Sequence, residues 1–252
     1  MKTSLNPIVV IPARLAATRF PNKPLADIHG KPMIVHVWQR AVEAIIGPVL
    51  VAAGDQAIAD AVAAAGGKVV MTNPNLPSGS DRVHQALESY DPEKIYNVII
   101  NVQGDLPTIE PRLIATILDP FDTPEVDITT LAVQITQDRE RTDPNVVKAV
   151  IALKKDSARI GRALYFSRAP VPSSPDGPQY HHLGLYAFRR AALDRFVSLP
   201  PGRLETLEQL EQLRALEDGM RIDVAVVDTV PLGVDTLEDL DRAKSILAAD
   251  PR

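Results

Sequence analysis

The chain has 252 residues, of which 45% are hydrophobic and 23% charged, so it can form a full core and is not an extended disordered protein. Its net charge of −5 excludes a generally basic surface, so we expect neither a nucleic acid nor a membrane surface as partner. It contains no cysteine, which excludes disulfides, thiolate catalysis and cysteine-ligated zinc.

The N-terminal stretch combines a predicted strand with a stiff basic loop. Ile8–Ile11 are consecutive apolar residues, which predicts a buried strand that ends at Pro12. Several prolines stiffen the loop that follows, which carries four cations: Arg14, Arg19, Lys23 and Lys31. Ligands of open α/β sheets bind beyond the carboxyl ends of the strands, so this loop predicts a site for an anion. The alternative is a solvated loop, although solubility alone does not require stiffness.

Helices and strands alternate through the next part of the chain. Helical spacing predicts helices over 33–44 and 56–65, while apolar runs predict strands over 48–53 and 68–71. Strands that alternate with helices indicate an α/β fold with a Rossmann-like, mostly parallel sheet, helices on both faces and right-handed crossovers.

Two polar segments follow these elements at predicted element ends. Ser78 or Ser80 can cap a helix that runs to about Ser89, and the free N–H groups there suit an anion or a base edge, although a plain helix cap explains them equally well. The strand 96–102 ends in Gln103, Gly104 and Asp105. A carboxylate at this end of a buried strand is a candidate Mg²⁺ ligand, and an aspartate that caps the next turn is the alternative.

The pattern changes in the second half of the chain. Segments 127–135, 145–153 and 163–166 predict strands without obvious helices between them, so we expect a smaller β-rich excursion whose edges need cover. A loop rich in Pro and Ser reaches about Tyr180 and is a candidate lid. His181 and His182 then open another strand; adjacent residues point to opposite faces, so they do not share a metal.

The C-terminal part contains three further predicted elements. Leucine recurs every third residue over 204–216, which predicts a core helix with a solvated acidic face. A strand is expected over 222–227. Thr236 and Asp239 form a capping-box pattern that opens the last helix.

Several motifs, in order along nearly the whole chain, resemble the 3-deoxy-manno-octulosonate (Kdo) cytidylyltransferases, also called CMP-Kdo synthetases. They are IPARLAATRFPNKPL, GKPMIVHV, SGSDR, YFSR, HHLGLY, LEQLEQLR and GVDTLEDL. The chain departs from the family at Leu106, where Glu is usual, at Leu237, where Pro is usual, and in the segment VAAGD after the second strand. The resemblance implies one nucleotidyltransferase domain over 1–252, with an inserted dimerisation and sugar-binding region at about 127–190.

The resemblance also implies the activity. The family transfers CMP from CTP to the 2-hydroxyl of Kdo, which releases pyrophosphate and gives CMP-Kdo for lipopolysaccharide biosynthesis. It implies Mg²⁺ as the cofactor and a homodimer as the assembly. The N-terminus lacks a signal-peptide pattern and the chain lacks a long apolar run, so a cytoplasmic enzyme is expected.

Site residues are carried over onto matching positions. The expected metal ligands are Asp105 and Asp235, which act in catalysis with Lys23. The expected nucleotide contacts are Ala13, Arg14, Arg19, Lys23, Ala52, Ser78, Gly79 and Gln103. The expected contacts to the sugar acid are Arg82, Gln103, Arg168, His182, Glu208 and Gln212. Residues 208 and 212 are four apart and would share one helix face. A hydrogen-bonded structural histidine is an equally good interpretation of His182.

The sequence leaves three rival functions open. A cytidylyltransferase for an amino analogue of Kdo or a sialic acid would share the first half of the chain, but the second-half motifs are more similar to the Kdo family. An inactive nucleotide-binding module would be expected to lose a metal aspartate, and both are retained. A dinucleotide-binding oxidoreductase is disfavoured because IPARLAATR lacks the G-x-G-x-x-G pattern.

Overall fold

The computed structural model describes residues 4–16, 20–154, 157–174 and 176–249. They form two compact units, which we call the discontinuous unit (Ser4–Ala115 together with 231–249) and the inserted unit (Thr116–Val230). The predicted insertion at about 127–190 lies within the inserted unit. None of the described helices has the length and apolar character needed to cross a bilayer.

The discontinuous unit contains a parallel sheet built from alternating strands and helices. In chain order its N-terminal elements are β1 (Pro7–Ala13), β2 (Asp27–Ile28), β3 (Lys31–Pro32), α1 (Met33–Glu43), β4 (Val49–Ala53), α2 (Gln56–Ala64), β5 (Lys68–Met71), α3 (Gly79–Tyr90), β6 (Val98–Asn101) and α4 (Pro111–Thr116). The sheet order is β5-β4-β1-β6, and all three pairings are parallel.

The strand order reverses direction at β1. The chain moves from β1 outward to β4 and β5, then returns through α3 to β6 on the other side of β1. With right-handed crossovers, α1 and α2 cover one face and α3 the other. The carboxyl ends of β1 and β6 therefore flank a topological switch point, where such sheets bind ligands.

Strand β1 is longer than the sequence predicted. It does not end at Pro12 but continues to Ala13, with Pro12 opposite Ala52 in β4. The pairing of β6 with β1 stops at Val10. The missing N–H of Pro12 faces the side that β6 no longer occupies, so the proline costs the sheet no ladder hydrogen bond.

The inserted unit is a mixed sheet with short helices. Its elements are β7 (Ile128–Gln134), α5 (Asp138–Thr142), β8 (Lys148–Lys154), β9 (Ser157–Ser167), β10 (Tyr180–Arg189), α6 (Arg190–Ser198), α7 (Arg203–Glu208), α8 (Leu213–Glu217) and β11 (Ile222–Val227). Its strands follow the order β10-β7-β11-β9-β8, in which β7 and β11 are parallel and the other neighbours antiparallel.

The predicted helix over 204–216 is wrong in one respect. It is two helices, α7 and α8, because Gln209 adopts a left-handed conformation with φ of 55° that ends α7. Glu208 and Gln212 consequently do not share the face of one continuous helix. The helix α5 was also not predicted.

The C-terminal helix α9 (Leu237–Ala249) completes the discontinuous unit. Its apolar face, with Leu240, Ala243 and Leu247, packs against Ile28 and Met33 of the N-terminal region. This packing brings the segment before α9 next to the basic loop after β1. The predicted α/β class, with helices around a mostly parallel sheet, is confirmed.

Candidate active site

A cavity of about 470 Å³ opens at the carboxyl ends of β1 and β6 in the discontinuous unit. This volume is within the usual range for small-molecule sites. It is lined by residues from four segments of the unit: Pro12, Ala13, Arg14, Ala16, Phe20, Lys23, Pro24, Ser78, Gly79, Arg82, Gln103, Gly104, Asp105 and Asp235. The cavity therefore brings together most of the predicted catalytic and nucleotide-binding residues.

Lys23 lies between the two predicted metal ligands. Its ammonium donates to Asp105 Oδ2 at 2.8 Å and to Asp235 Oδ1 at 3.1 Å. The lysine side chain is 14% exposed, whereas the two carboxylates are 34% and 51% exposed. Two carboxylates that are far apart in sequence thus face a single cation position at the edge of the cavity.

The electrostatic balance at this position favours the charged lysine. Burial lowers the pKa of Lys23, but the charge and hydrogen bonds of Asp105 and Asp235 more than offset it, so the pKa is raised above its ordinary value. Lys23 therefore remains a cation throughout the physiological range.

The turn that carries Lys23 is fixed by local backbone geometry. Asn22 is left-handed, with φ of 57°, and starts a short 3₁₀ turn over Lys23–Leu25. Pro24 is buried in this turn, where its fixed φ suits the tight backbone. The lysine thus extends from a rigid element.

Asp105 is placed by a close backbone contact after β6. A Cβ on Gly104 would lie 2.9 Å from the carbonyl oxygen of Pro12, so only glycine lets the chain pass at this distance. The backbone oxygen of Asp105 also accepts the N–H of Val234 at 3.0 Å. This hydrogen bond directly links the two segments that carry the carboxylates.

Asp235 is placed by the start of α9. Thr236 and Asp239 form the predicted capping box, in which Asp239 Oδ2 accepts the Thr236 N–H at 3.1 Å and Thr236 Oγ1 accepts the Asp239 N–H at 3.1 Å. Asp239 also accepts the N–H of Asp235, at 3.2 Å. The backbone of Asp235 is bound within the cap, while its side chain lines the cavity and pairs with Lys23.

Leu106 and Leu237, the two departures from the family pattern, lie beside these segments. A Cβ built on Gly233 would lie 3.8 Å from Cδ2 of Leu106, which places this leucine against the 233–235 segment. Leu237 is 67% exposed in the first turn of α9. Neither substitution displaces the carboxylates from Lys23.

Asp55 holds the start of the basic loop, a role that residue spacing does not reveal. Its Oδ2 accepts the N–H of Leu15 at 2.8 Å. Gly54, just before it, donates its N–H to the carbonyl of Ala13 at 2.8 Å. The altered family segment VAAGD therefore anchors the loop after β1. The signal for this role was a carboxylate directly after a predicted strand.

Arg82 is buried in the cavity wall, where it holds a neighbouring loop. It is 2% exposed, and its guanidinium donates to Thr72 Oγ1 at 2.6 Å and to the carbonyls of Asn73 and Pro74 at 3.0 and 3.2 Å. A Cβ on Gly54 would lie 2.8 Å from its Nη1. Arg82 thus fixes the loop before α3, and its assignment to the sugar acid stays a prediction.

The start of α3 forms another part of the wall. Ser78 is the N-cap, and its Oγ accepts the N–H of Asp81 at 3.2 Å. Gly79 packs near Pro12, at an ordinary van der Waals distance for an added Cβ. Ser78 therefore satisfies one terminal N–H, and both Ser78 and Gly79 line the cavity.

Four of the remaining predicted nucleotide contacts can be placed, and one cannot. Ala13 and Gln103 line the cavity, and Gln103 Nε2 donates to Asn101 at 3.2 Å. Arg14 lines it with an exposed side chain, whereas Ala52 is buried in β4 opposite Pro12 and is not among the residues that line the cavity. Arg19 lies outside the described residues.

Arg168 and Glu208 form one network in the inserted unit. Glu208 accepts the Arg168 N–H at 3.0 Å and the Ser167 hydroxyl at 2.8 Å, while Arg168 Nε donates to the Glu208 carbonyl at 2.9 Å. Arg168 Nη1 also donates to the carbonyl of Pro144, at 2.9 Å. These two predicted sugar-acid contacts are thus held in fixed relative positions.

Gln212 carries a buried donor without a partner. It is 6% exposed, and no described residue accepts a hydrogen bond from its Nε2. Buried polar atoms in native proteins are nearly always bonded, so an orphaned amide donor indicates a place that a ligand or water completes.

His182 is buried and neutral. Its Nε2 lies 3.0 Å from Thr130 Oγ1, whose hydroxyl hydrogen points at the carbonyls of Leu183 and Leu185. Because the threonine hydrogen is used, the histidine is the donor, which assigns its Nε2–H tautomer. Phe166 packs on the ring edge, with centroids 4.7 Å apart. Burial, with a smaller effect from His181, lowers the pKa of His182 to about 3.

This pKa predicts how stability depends on pH. In the unfolded chain His182 titrates near 6.5, so below that pH the unfolded state binds one proton more than the native state. Stability is therefore retained above pH 6.5 and lost as the pH falls towards 3. We expect wild type to lose about 2.5 kcal/mol more than His182→Gln between pH 7 and 4.5, as measured by urea unfolding. Equal losses in the two proteins would show that His182 is protonated in the native state.

Comparison with known proteins shows the family to which the chain belongs. The family model described as cytidylyltransferase matches residues 8–222. The 3-deoxy-manno-octulosonate cytidylyltransferase of Paramagnetospirillum magneticum is 61% identical over 97% of this chain and 99% of the relative. That of Rhodospirillum rubrum is 63% identical over 96% and 95% of the two chains. The chain belongs to the 3-deoxy-manno-octulosonate cytidylyltransferase family.

A solved structure supports the membership. The structure of CMP:2-keto-3-deoxy-manno-octonic acid synthetase complexed with CTP matches with a TM-score of 0.89 and 36% identity, over 97% of this chain and 99% of that one. A cytidylyltransferase from Leptospira borgpetersenii, 14% identical with a TM-score of 0.63, shares the fold. In this chain, the motifs that follow β1 and β6 line the cavity.

Proposed function

We propose that the chain transfers the cytidylyl group of CTP to the 2-hydroxyl of Kdo. The oxygen–α-phosphorus bond forms, the bond from the α-phosphorus to the bridging oxygen breaks, and pyrophosphate leaves while the hydroxyl proton passes to solvent. The observation that carries this proposal is that Asp105 and Asp235 both contact Lys23 in the cavity. It is supported by relatives that are named 3-deoxy-manno-octulosonate cytidylyltransferase.

The two carboxylates fit a magnesium ion. Hard oxygen ligands suit Mg²⁺, which keeps several waters and takes phosphate oxygens alongside one or two carboxylates. Asp105 and Asp235 already converge on one cation position, which the Lys23 ammonium takes in this structure. When bound there, the metal would supply Lewis-acid polarisation of the α-phosphate and neutralise its developing charge.

The remaining groups of the cavity suit a triphosphate and a base. Lys23 and Arg14 are cations that line this cavity, and the guanidinium of Arg14 can make forked contacts to phosphate. The backbone N–H groups at the start of α3, at Ser78 and Gly79, suit the edge of cytosine. We assign the nucleotide to this cavity on these grounds.

The sugar acid is assigned to side chains of mixed character. In the inserted unit, Arg168 is the cation for its carboxylate, Glu208 with Gln212 would bind hydroxyls, and His182, whose Nε2–H is donated to Thr130, offers its Nδ1 as an acceptor. In the discontinuous unit, Arg82 is a further cation and Gln103 a neutral donor assigned to this substrate. The orphaned Nε2 of Gln212 supports this assignment, because a sugar hydroxyl would satisfy it. The neutral state of His182 restricts it to hydrogen bonding.

Assembly and location follow from the same proposal. We propose a homodimer formed through the inserted unit, where Leu164 on β9 is 56% exposed. A cytoplasmic enzyme that serves lipopolysaccharide biosynthesis fits a CTP-dependent activity.

A pyrophosphate-release assay tests the proposal. We expect release with CTP, Kdo and MgCl₂ together, and little release when UTP, ATP or GTP replaces CTP, when sialic acid replaces Kdo, or when EDTA is present. Release from CTP that is no faster with Kdo than without it would refute the proposed acceptor.

A further inference from the structure

Lys148, at the start of β8, is a fully buried lysine that the proposed reaction does not use. It has no exposed surface. Its ammonium donates to three backbone carbonyls, those of Asp143 at 2.8 Å, Val146 at 2.7 Å and Arg168 at 2.9 Å. An ammonium has three N–H donors, so these contacts use all of them and leave none for a ligand.

Stability alone does not explain why a charged lysine is buried at this position. Removing an ammonium from water costs several kcal/mol, and an apolar residue of similar volume often serves a core at least as well. Burial lowers the pKa of Lys148 despite the nearby charge of Asp143, which agrees with that cost.

The three carbonyls belong to two segments that meet at Arg168. Asp143 and Val146 form the turn before β8, in which the Val146 N–H also bonds to the Asp143 carbonyl at 3.2 Å. Arg168 directly follows β9. The same turn accepts the Arg168 guanidinium, through the carbonyl of Pro144 at 2.9 Å. The ammonium thus fixes both the backbone of Arg168 and the turn that orients its side chain.

The network continues from Arg168 to Glu208. The backbone N–H of Arg168 donates to Glu208 Oε2 at 3.0 Å, and its Nε donates to the Glu208 carbonyl at 2.9 Å. A shift of Arg168 would therefore also move this carboxylate. Both residues are assigned above to the sugar acid.

We propose that Lys148 is a positioning residue for the acceptor sugar acid, which it serves by holding Arg168 and, through it, Glu208 in the geometry that binds Kdo. This inference rests on the proposed function, because it takes the roles of Arg168 and Glu208 from there. Lys148 itself does not touch the substrate.

The test compares the effect of a substitution on the KM for Kdo with its effect on the KM for CTP. In Lys148→Met we expect the KM for Kdo to rise about 10- to 100-fold, as a misplaced binding group predicts, while the KM for CTP changes less than about twofold. Lys154→Met is the matched control at the far end of β8, where the ammonium donates to Thr123 Oγ1 at 3.0 Å, and it should change neither constant.

Two further variants separate positioning from folding. Pro144→Gly loosens the exposed turn without removing a buried charge, and we expect it also to raise the KM for Kdo alone. Because the chain has no cysteine, Lys148→Cys carries a single thiol, and alkylation with bromoethylamine in urea followed by refolding returns an ammonium to this position. We expect this modification to restore the KM for Kdo towards that of wild type.

Wild type assayed in parallel keeps the two proposals distinguishable. If wild type releases pyrophosphate with CTP and Kdo, the proposed function holds and the variants decide the role of Lys148. An unchanged KM for Kdo in the folded variants, or an equal rise in both constants, would overturn the positioning role. If Lys148→Met does not fold, Pro144→Gly gives the decisive measurement. Wild type without activity would overturn the proposed function and this inference with it.

Discussion

Asp105→Asn is expected to lower kcat by about 10²- to 10³-fold, which corresponds to the loss of several kcal/mol of metal-assisted stabilisation. Asparagine keeps the shape of the side chain but removes the charge that faces the cation position. Among the described residues that line the cavity, Asp235 would then be the one remaining carboxylate, and the concentration of MgCl₂ that gives half-maximal activity should rise.

The fold is expected to survive this substitution. Asp105 is 34% exposed, and an ion pair at that exposure contributes at most about 1 kcal/mol. kcat at saturating CTP, Kdo and MgCl₂, together with the Tm from circular dichroism, provides the measurement. Asp60→Asn, on the exposed face of α2, is the matched control with unchanged kcat. A kcat of Asp105→Asn within about threefold of wild type would remove the carboxylate from the mechanism.

Lys23→Met is expected to lower kcat/KM for CTP by about 100-fold, because a charge-assisted contact to phosphate is lost. The effect should lie mainly in KM. At the same time the affinity for a divalent ion in the absence of nucleotide should increase, since Asp105 and Asp235 would no longer share a resident ammonium.

These opposite changes identify the role of the lysine. Steady-state kinetics give the CTP dependence, and titration with Mn²⁺ followed by electron paramagnetic resonance gives the metal affinity. Lys31→Met removes an exposed cation from the same basic stretch and should alter neither. An unchanged CTP dependence in Lys23→Met would mean that the basic loop serves solubility. Unchanged Mn²⁺ affinity would mean that lysine and metal do not compete.

Regular elements could be predicted where the hydrophobic pattern alone decides. The strands over 68–71 and 222–227 were predicted with the bounds that the structure has, and α1 was predicted to within one residue. The helix over 204–216 failed because periodicity does not reveal a left-handed residue such as Gln209. The end of β1 was predicted one residue early, at Pro12, for a related reason. Whether a proline ends a strand depends on where the neighbouring strand stops, which the local sequence does not show.

The charged residues of the site could be predicted from the sequence, whereas the residues that hold its backbone and side chains in place could not. Asp105 and Lys23 follow from strand ends and charge patterns, and Asp235 followed from the resemblance. The contact of Asp55 with the N–H of Leu15, and the enclosure of Arg82 by the loop 72–74, depend on side-chain directions that no residue spacing shows. The same holds for Lys148, whose three acceptors are all backbone atoms.

The discontinuous unit draws its ion cluster from both sides of the inserted unit, with Lys23 before it and Asp235 after it. A nascent chain on the ribosome therefore contains the lysine and Asp105 long before the second acid is synthesised. Until α9 emerges, the apolar surface around Ile28 and Met33 stays uncovered and is available to chaperones. The pair of carboxylates is thus completed only after the whole inserted unit has been synthesised, so a fragment that stops before Asp235 lacks the second acid of the cation position.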